Sequence, residues 1–519
     1  MATAPTPTLM SPVRPGERIH ALDVLRGFAL LGIALMNVEF FNRSSMEMGM
    51  GLAPGEGGPA HVAGWLVAWL VTGKFWVLFA LLFGMGFALM LQRAQARGSE
   101  FLPVYRRRTL ALLGFGLVHA IGLWFGDILF GYAVIAAMLL LVWFGRLKHA
   151  LLLAAGAVVL ALIPGLHAFA NLLVLVVVAM LVGDWIRAPD GRTPRAVWLL
   201  YVLGVAVILG GLAMLAKDAG VTAMLVLAGG LLLGLGWLAA RHRGTPESRP
   251  LRAGVTLYML LPVLMLAAAG MQAMNPDMFT PPGEEGRKEV AANYEEFRKD
   301  AAAEMAALRS PAYMDDVRAR FDRFDNIVGL LPLIGVSGLG VFLVGGWLLQ
   351  RGAITDPQAH ERFWHRLRLA WPACAALVAF ALWLSPGMVP DRPPVAREMA
   401  GMGLAMVAAL PMTLGYVAWI LKALQGPLAP LLSKLAPAGR MALTNYLMQS
   451  LICSFVFYGW GLHQWGMPRH LQVVFVFAMF LAQVLLSIFW MRHFRYGPME
   501  WLWRWMTYGR RPAAVPATP

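Results

Sequence analysis

The sequence predicts an all-α fold, a polytopic transmembrane helix bundle of about 14 spans with both termini in the cytoplasm and a helical extracytoplasmic segment. Of its 519 residues, 59% are hydrophobic and only 14% are charged, which is too apolar for a soluble globular protein. Apolar windows of about 20 residues, the length that crosses a bilayer as a helix, recur along the chain. Basic residues cluster in alternate connections between these windows. Together these features exclude a soluble class.

The predicted spans follow one another from residue 20 to residue 492. The first begins near His20, keeps two charged residues within it and is followed by no small-residue cleavage site, so we expect it to remain attached. The predicted windows are 20–41, 70–94, 107–125, 127–144, 149–168, 170–187, 195–216, 221–240, 253–274, 327–349, 365–386, 397–421, 440–463 and 470–492.

The distribution of basic residues gives the predicted orientation. Arginines and lysines follow the second, fourth and sixth windows and continue at every second connection to the end of the chain. Because basic loops stay in the cytoplasm, both termini are predicted to be cytoplasmic. The net charge of +15 is therefore a topology signal. The cations are scattered among short loops, so no nucleic-acid partner is expected.

One polar segment, residues 276–326, interrupts the apolar windows. Residues 276–325 hold twelve acidic and eight basic side chains, and 284–323 has amphipathic helical character. Prolines at 276, 281, 282 and 311 divide the segment into short pieces. We expect it to lie outside the membrane as a cap over the bundle, the plainer interpretation being a solvated helical hairpin.

Few ionisable residues lie at membrane depth, and His119 is the most informative of them because such residues are costly in lipid. It precedes Asp127 by eight residues, about 12 Å along a helix. A histidine there suits a general base that takes a proton from an acceptor hydroxyl or amine. Asp127 either orients it or caps the next helix. The simpler interpretation of His119 is an interhelical hydrogen bond.

The first window carries a second group of polar residues. Asp23 and Arg26 are one helical turn apart at the cytoplasmic end, and Asn37 lies deeper on a similar face. The pair either satisfies itself at the interface or presents Arg26 to a phosphate or carboxylate. Lys74, where the second window begins, either extends to the outer interface or serves the same cavity.

The remaining polar features are at the end of the chain and among the thiols. Residues 500–505 alternate aromatic and charged groups, which is typical of an interfacial anchor, although Glu500 is alternatively the partner of a buried arginine. Cys374 and Cys453 lie in apolar windows, which argues against a disulfide or a thiolate metal site. The eleven histidines are dispersed, so no metal is expected.

Four separated motifs resemble the YeiB-type bacterial inner-membrane proteins. They occur in the expected order and cover roughly residues 15–168 and 276–510. The motifs are LDVLRGFALLGI at 22–33 with Asn37; Lys74-Phe75 through Leu82-Phe83-Gly84; Leu117-Val118-His119 with Gly126-Asp127-Ile128-Leu129 and Tyr132; and, in the C-terminal half, GRMALTNYL at 439–447 with GPMEWLWR at 497–504.

The chain departs from that pattern between residues 170 and 275, where four additional windows intervene. This insertion suggests a lateral packing or dimerisation element, so a homodimer is one expectation. The predicted organisation is a cytoplasmic tail (1–19), an N-terminal transmembrane bundle (20–168), the inserted four-span element (169–275), the extracytoplasmic segment (276–326), a C-terminal transmembrane bundle (327–510) and a disordered tail (511–519).

The YeiB-type family is similar to transmembrane acyltransferases that include heparan-α-glucosaminide N-acetyltransferase. The resemblance implies a multi-pass protein of the bacterial inner membrane, a cytosolic acyl-CoA donor, acetyl-CoA in the first instance, and an extracytoplasmic glycan or lipid acceptor. It implies His119 as the catalytic base. His61 is the rival, because the heparan enzyme places its histidine just before the second span.

The resemblance also implies a set of substrate-binding residues. Arg26 and Arg440 would hold the phosphates of the donor, and polar dipoles in the bundle would stabilise the oxyanion. The whole set is Asp23, Arg26, Asn37, Lys74, Arg440, Thr444, Asn445, Tyr446 and Glu500. Two other classes stay open: a transporter or flippase of a lipid or small anion, which would leave the donor intact, and a noncatalytic lipid-binding membrane protein.

Overall fold

The computed structural model describes residues 18–44, 57–213, 219–275, 283–387 and 395–512, and within them the regular structure is helical, without strands. The all-α prediction is therefore confirmed. The predicted tails at 1–19 and 511–519, and three of the four prolines of the polar segment, lie almost wholly outside the described residues. The helices are α1 (His20–Asn37), α2 (Gly58–Leu70), α3 (Lys74–Ala96), α4 (Leu102–Gly122), α5 (Leu129–Phe144), α6 (Leu147–Ala161), α7 (Leu172–Arg187), α8 (Arg195–Ala213), α9 (Ala219–Arg241), α10 (Arg249–Met274), α11 (Gly283–Arg309), α12 (Tyr313–Asp322), α13 (Phe324–Gln350), α14 (Glu361–Leu384), α15 (Ala396–Ala423), α16 (Ala429–Ser433), α17 (Ala436–Arg440), α18 (Ala442–Phe457), α19 (Arg469–His493) and α20 (Pro498–Tyr508).

The helices agree with a polytopic membrane protein. Nine helical stretches among the described residues are long and apolar enough to cross a membrane, and four shorter helices are also apolar. One of the nine stretches contains both α2 and α3, because only three residues separate them. α4 carries three consecutive arginines, Arg106 to Arg108, near its start and belongs to neither group, yet it overlaps a predicted window. Each predicted window therefore overlaps a helix.

The helix α2 is the element that hydropathy windows miss. Its apolar residues continue into those of α3, so the two read as one run. The chain breaks at Val71–Gly73, where Gly73 has φ +82°, a conformation that favours glycine. α2 packs against α14 and α19 rather than extending α3.

The centre of the bundle is built around α1. Val24, Leu25, Leu30 and Ile33 are each 0% exposed, which reflects contacts of α1 with helices on several sides. Its neighbours are α3, α17, α18 and α19, and α3 in turn packs along α13 and α15. A helix surrounded in this way is apolar all round, so the polar residues on it face other parts of the protein rather than lipid.

The four helices of the predicted insertion occupy different places. α7 packs against α5, and α10 packs into the bundle against α13 and α15. α8 and α9 form a peripheral hairpin that packs mainly on itself and exposes apolar side chains such as Trp198 and Val202. Arg249 closes the base of this hairpin, because its guanidinium donates to the carbonyls of Ile186 and Ala188 at 3.0 and 2.9 Å.

The bundle has two different ends. The basic face carries the start of α1, the end of α3, the start of α4, and α17 and α20, all of which bring arginines together. The capped face carries α11 and α12, which match the helical segment predicted for residues 284–323. The cap is fastened to the bundle by Ser44, which donates to Glu304 at 2.5 Å, and by the amide of Gly459, which donates to the carbonyl of Leu308 at 2.8 Å.

Candidate functional site

His119 lies in the last turn of α4, close to the capped face, between two buried polar side chains. Its Nδ1 is 2.8 Å from Oδ1 of Asp127, and its Nε2 is 2.8 Å from Oγ of Ser450. The side chains of His119 and Asp127 are 0% and 1% exposed, and Ser450 is 3% exposed. The three residues form a buried serine–histidine–aspartate chain, which we call the triad.

The loop after α4 explains how Asp127 reaches back to His119. The amides of Leu123 and Trp124 both donate to the carbonyl of His119 at 2.9 Å, which ends the helix and turns the chain. Asp127 then precedes α5, and its Oδ2 accepts from the amide of Phe130 at 2.5 Å. One carboxylate oxygen therefore contacts the histidine while the other caps α5, so the two interpretations of Asp127 are compatible.

The hydrogen bonds of the triad assign a direction to the proton. A carboxylate only accepts, so the pairing with Asp127 places the proton of His119 on Nδ1. Nε2 is then free to accept from the hydroxyl of Ser450. This order is the one by which an aspartate holds the histidine tautomer, and the histidine takes a serine proton, in acyl-transfer triads on unrelated folds.

Ser450 is the member of the triad that sequence analysis missed. It lies 331 residues from His119, on a helix that is apolar for most of its length. A signal was nevertheless present: Asn445, Gln449 and Ser454 recur with it at spacings of one to five residues, and all four are buried on α18. A polar seam on an apolar helix indicates a face turned toward the protein interior.

The cap, formed by α11 and α12, covers the site at the capped face. Tyr313 of α12 donates to the carbonyl of Gly122 at 2.5 Å. Arg320 donates to the carbonyls of Ile121 and Gly122 at 2.8 and 3.2 Å. These carbonyls belong to the last turn of α4, the turn that also carries His119, and they would otherwise lack partners. α12 therefore both satisfies the helix end and covers the triad.

A cavity of about 240 Å³ leads from the basic face toward the triad. Its walls are apolar and aromatic along α3 and α4, with Phe79, Phe83 and Leu112 among them. Its inner end is formed by Ile128, next to Asp127 in the chain, and by Tyr446. The cavity therefore joins the basic face to the immediate neighbourhood of His119.

The mouth of the cavity is strongly positive. Six arginines and two carboxylates line it, namely Arg18, Arg26, Arg93, Arg108, Arg440 and Arg504 with Asp23 and Glu500. Burial, and next the charge of Arg440, lower the pKa of Arg18 to about 10, which still leaves it charged at neutral pH. The excess of positive charge over negative charge gives the mouth a net positive charge, which favours polyanions.

The side chain of Tyr446 separates this cavity from a second, much smaller one. The smaller cavity, of about 10 Å³, is lined by Asn37, Gln449 and Ser450 as well as by Tyr446. The phenol oxygen accepts from the amide of Ile128 at 3.3 Å, and the ring lies 5.0 Å from that of His119. Tyr446 thus stands between the inner end of the large cavity and the hydroxyl of Ser450.

The predicted residues of α1 and α17 come together at the mouth. Arg26 pairs with Asp23 at 3.0 Å, and Arg440 lines the same opening. α1 and α17 approach so closely here that a Cβ on Gly439 would overlap the carbonyl of Asp23. The glycine of the C-terminal motif is therefore required for the crossing that brings Arg440 beside the Asp23–Arg26 pair.

Other predicted residues of the C-terminal motifs form hydrogen bonds that stabilise the fold. Glu500 accepts from the amides of Leu443 and Thr444 at 2.6 and 3.1 Å and from the Thr444 hydroxyl at 2.6 Å, which caps the start of α18. Burial raises the pKa of Glu500, while these donors oppose the rise. The side chain of Asn445 donates to Ala438 and Ser487 and lines neither cavity. Glu500 thus pairs with helix amides rather than with an arginine.

Two predicted residues lie away from the triad. Lys74 is buried, with 2% exposure, and its amine donates to the carbonyl of Ala68 at 2.9 Å, so it lines neither cavity. His61 is exposed on α2 and also lines neither cavity. The structure therefore brings His119, Asp127 and Tyr446 together, and it leaves His61 and Lys74 elsewhere.

Comparison with known proteins finds this chain similar to proteins that are themselves uncharacterised. Residues 348–510 match the family model described as a protein of unknown function, DUF418. The chain is 24% identical over 507 residues to the uncharacterized protein YxaH of Bacillus subtilis (strain 168), covering 96% of each chain. It is 46% identical over 84 residues to the uncharacterized protein YeiB of Escherichia coli (strain K12), which is 16% of this chain and 22% of YeiB.

A third relative is an uncharacterized 39.9 kDa protein from the amylase 3′ region of Bacillus acidopullulyticus, 38% identical over 98 residues, which is 18% of this chain and 28% of that protein. The segment that matches the family model contains Arg440, Tyr446, Ser450 and Glu500. His119 and Asp127 precede it. The triad is therefore assembled from that segment and from the N-terminal part of the bundle.

Proposed function

We propose that this chain, which matches the DUF418 model at residues 348–510 and is similar to YeiB over 84 residues, is a transmembrane acyltransferase of the bacterial inner membrane. It would move an acyl group, acetyl in the first instance, from cytosolic acyl-CoA to a glycan or lipid acceptor on the outer side. The observation that carries the proposal is the cavity that runs from six arginines to the neighbourhood of a buried serine–histidine–aspartate triad.

The shape and charge of the cavity suit an acyl-CoA donor. The phosphates of CoA are polyanionic, and arginine forks bind phosphate oxygens in pairs. The cavity, at about 240 Å³, is too small to enclose the whole donor. Pockets that enclose drug-sized ligands hold about 300–1,000 Å³. We therefore place the nucleotide at the mouth and the slender pantetheine arm, with its thioester, in the apolar passage.

The triad supplies the acid–base chemistry. His119 accepts a proton as the acyl group is transferred and returns it to the sulfur of CoA, while Asp127 holds the imidazole in the reactive tautomer. The cap excludes water from the outer side, because α12 bonds to the last carbonyls of α4. Exclusion of water protects the acyl group from hydrolysis and strengthens the hydrogen bonds within the site.

Release of free CoA thiol from acetyl-CoA tests the proposal. The protein in nanodiscs of bacterial lipid is given acetyl-CoA and either lipid or oligosaccharide acceptors. We expect thiol release by the wild type and a loss of at least about a hundredfold in His119→Ala, the usual range for removal of a general base. His61→Ala should retain activity, because His61 lies outside both cavities.

The same measurement separates the competing classes. A protein that binds acetyl-CoA or lipid but releases no thiol with any acceptor would contradict the acyltransferase and favour a transporter or a lipid-binding protein. Loss of activity in His61→Ala with retention in His119→Ala would move the base from α4 to α2.

A further inference from the structure

We propose that Ser450 is the nucleophile that carries the acyl group as an ester between two half-reactions. The inference rests on the proposed acyltransferase function and adds a covalent step to it. It assigns to Ser450 a role that differs from that of a passive hydrogen-bond partner of the histidine.

The position of Ser450 Oγ carries the argument. If His119 activated an external acceptor directly, the hydroxyl or amine of that acceptor would need to reach Nε2. In the structure that position is held by Ser450 at 2.8 Å, while Nδ1 is held by Asp127. The proton that this histidine is placed to accept is therefore the serine's. Nucleophile, base and orienting carboxylate are within hydrogen-bonding reach in the order that activates a serine.

A single side chain, that of Tyr446, separates Ser450 from the donor passage. Ser450 is one helical turn beyond Tyr446 on α18 and lines the small cavity on the far side of that side chain from the donor passage. Tyr446 lines both cavities, so the covalent step requires its side chain to rotate and join them. Asn37 lines the small cavity as well, and an amide donor at this place can stabilise the oxyanion that forms on the thioester carbonyl.

The two half-reactions balance as follows. Ser450 Oγ attacks the thioester carbonyl carbon as His119 takes the hydroxyl proton. The carbon–sulfur bond breaks, and the sulfur takes the proton from His119, which gives acyl-serine and free CoA. In the second step the acceptor hydroxyl or amine gives its proton to His119 and attacks the ester. The carbon–oxygen bond to Ser450 breaks, and Ser450 regains the proton.

A covalent carrier fits the two-sided architecture. The donor passage opens on the basic face, whereas the triad lies beneath the cap on the other side of the bundle. With the acyl group held on Ser450, donor and acceptor need not occupy the site together. The cap and Tyr446 can then open at different stages of the cycle.

Isotope exchange without acceptor tests the covalent step. Nanodiscs are incubated with acetyl-CoA and labelled free CoA, and the label entering acetyl-CoA is measured, with the mass of the intact protein read in parallel. We expect exchange and an acetylated protein for the wild type. Ser450→Ala should lower exchange by at least about a hundredfold and remove the adduct. Ser450→Cys should retain an adduct, now a thioester cleaved by neutral hydroxylamine.

Ser454→Ala is the matched control. Ser454 is on the same helix and is also buried, but it donates to the carbonyl of Leu123 rather than to the histidine. Exchange should persist in this variant. That result would show that the loss of exchange in Ser450→Ala is not a general effect of removing a hydroxyl from α18. Binding of acetyl-CoA by Ser450→Ala, measured without an acceptor, shows that this variant is folded.

The outcomes separate the two proposals. Exchange or an adduct that persists in Ser450→Ala would overturn the covalent role. Normal acetyl transfer by Ser450→Ala, together with its loss in His119→Ala, would overturn it as well and leave direct transfer by an acyltransferase. A wild type that releases no thiol with any acceptor and exchanges no label would remove the acyltransferase function itself.

Discussion

At the scale of single residues, Asp127 holds a position that few carboxylates in a membrane bundle have. Its two oxygens contact different partners, the ring of His119 and the amide of Phe130 in the first turn of α5. The first bond concerns chemistry and the second concerns folding. A substitution that keeps the hydrogen bond to the Phe130 amide but changes the one to His119 can separate the two roles of Asp127.

Asparagine at position 127 makes this separation. The amide oxygen still accepts from Phe130, so thermal stability should change by less than about 1 kcal/mol. The amide nitrogen would face Nδ1 of His119 and favour the tautomer that carries its proton on Nε2, which no longer accepts from Ser450. We expect acetyl transfer to fall by roughly 10³–10⁴-fold in Asp127→Asn, as measured by thiol release.

The matched substitution is alanine at the same position. Asp127→Ala removes both bonds, so it should lower activity and thermal stability together. Asp127→Asn with wild-type activity would mean that Asp127 serves only as a helix cap.

The candidate site was predictable from sequence where its parts are near in the chain. His119 and Asp127 are eight residues apart, and a histidine at membrane depth is rare enough to attract attention. Ser450 was not predictable in this way, because buried serines are common in apolar helices and pairing across 331 residues depends on how α4 and α18 pack. Four of the six arginines at the mouth were also not predicted as site residues, because basic residues in loops were interpreted as a signal of topology.

At the scale of elements, the crossing of α1 and α17 depends on backbone contact. A Cβ on Gly439 would meet the carbonyl of Asp23, which cannot move without displacing α1. By contrast, a Cβ on Gly114 of α4 would meet no atom within 4 Å among the described residues. We therefore expect substitution by alanine to have opposite effects on stability at these two glycines.

Gly439→Ala should destabilise the protein by about 1–3 kcal/mol, the usual cost of overpacking. Gly114→Ala should be neutral or stabilise it by up to about 1 kcal/mol, because alanine restricts the unfolded chain and favours helix. Thermal unfolding of both variants in the same detergent measures the difference. Equal stability of the two variants would show that α1 and α17 can separate at little cost.

Element prediction succeeded wherever hydropathy alone defines a helix. All fourteen windows coincide with helices, including α4, whose second turn is basic. It failed at α2, because an apolar run gives no sign of a break when a single glycine with positive φ changes its direction. It also could not separate α8 and α9, which are peripheral, from α10, which packs inside the bundle, since all three are apolar enough to be predicted as spans.

At the scale of the whole molecule, the distribution of charge over the basic face should appear as a preference among donors. The arginine mouth would contact the phosphates of CoA and not the pantetheine arm. Acetylpantetheine has the same thioester and arm without the nucleotide. A comparison of the two donors therefore isolates the contribution of the mouth.

Arg440→Ala should raise the KM for acetyl-CoA by about tenfold to a hundredfold, the loss expected for a charged hydrogen bond. The KM for acetylpantetheine should not change, and kcat should change little with either donor. Lys148→Ala is the control, because Lys148 is an exposed cation that does not line the cavity. An equal rise in KM for both donors would place Arg440 on the arm rather than on the phosphates.

The base of the peripheral hairpin determines how a pair of helices can be inserted between α7 and α10. Arg249 ties the start of α10 to the carbonyls at the end of α7, so the chain leaves the bundle and returns to it at nearly the same point. A pair of helices inserted there keeps every later helix in its original direction. We therefore expect the removal of α8 and α9 together to leave the direction of every later helix unchanged.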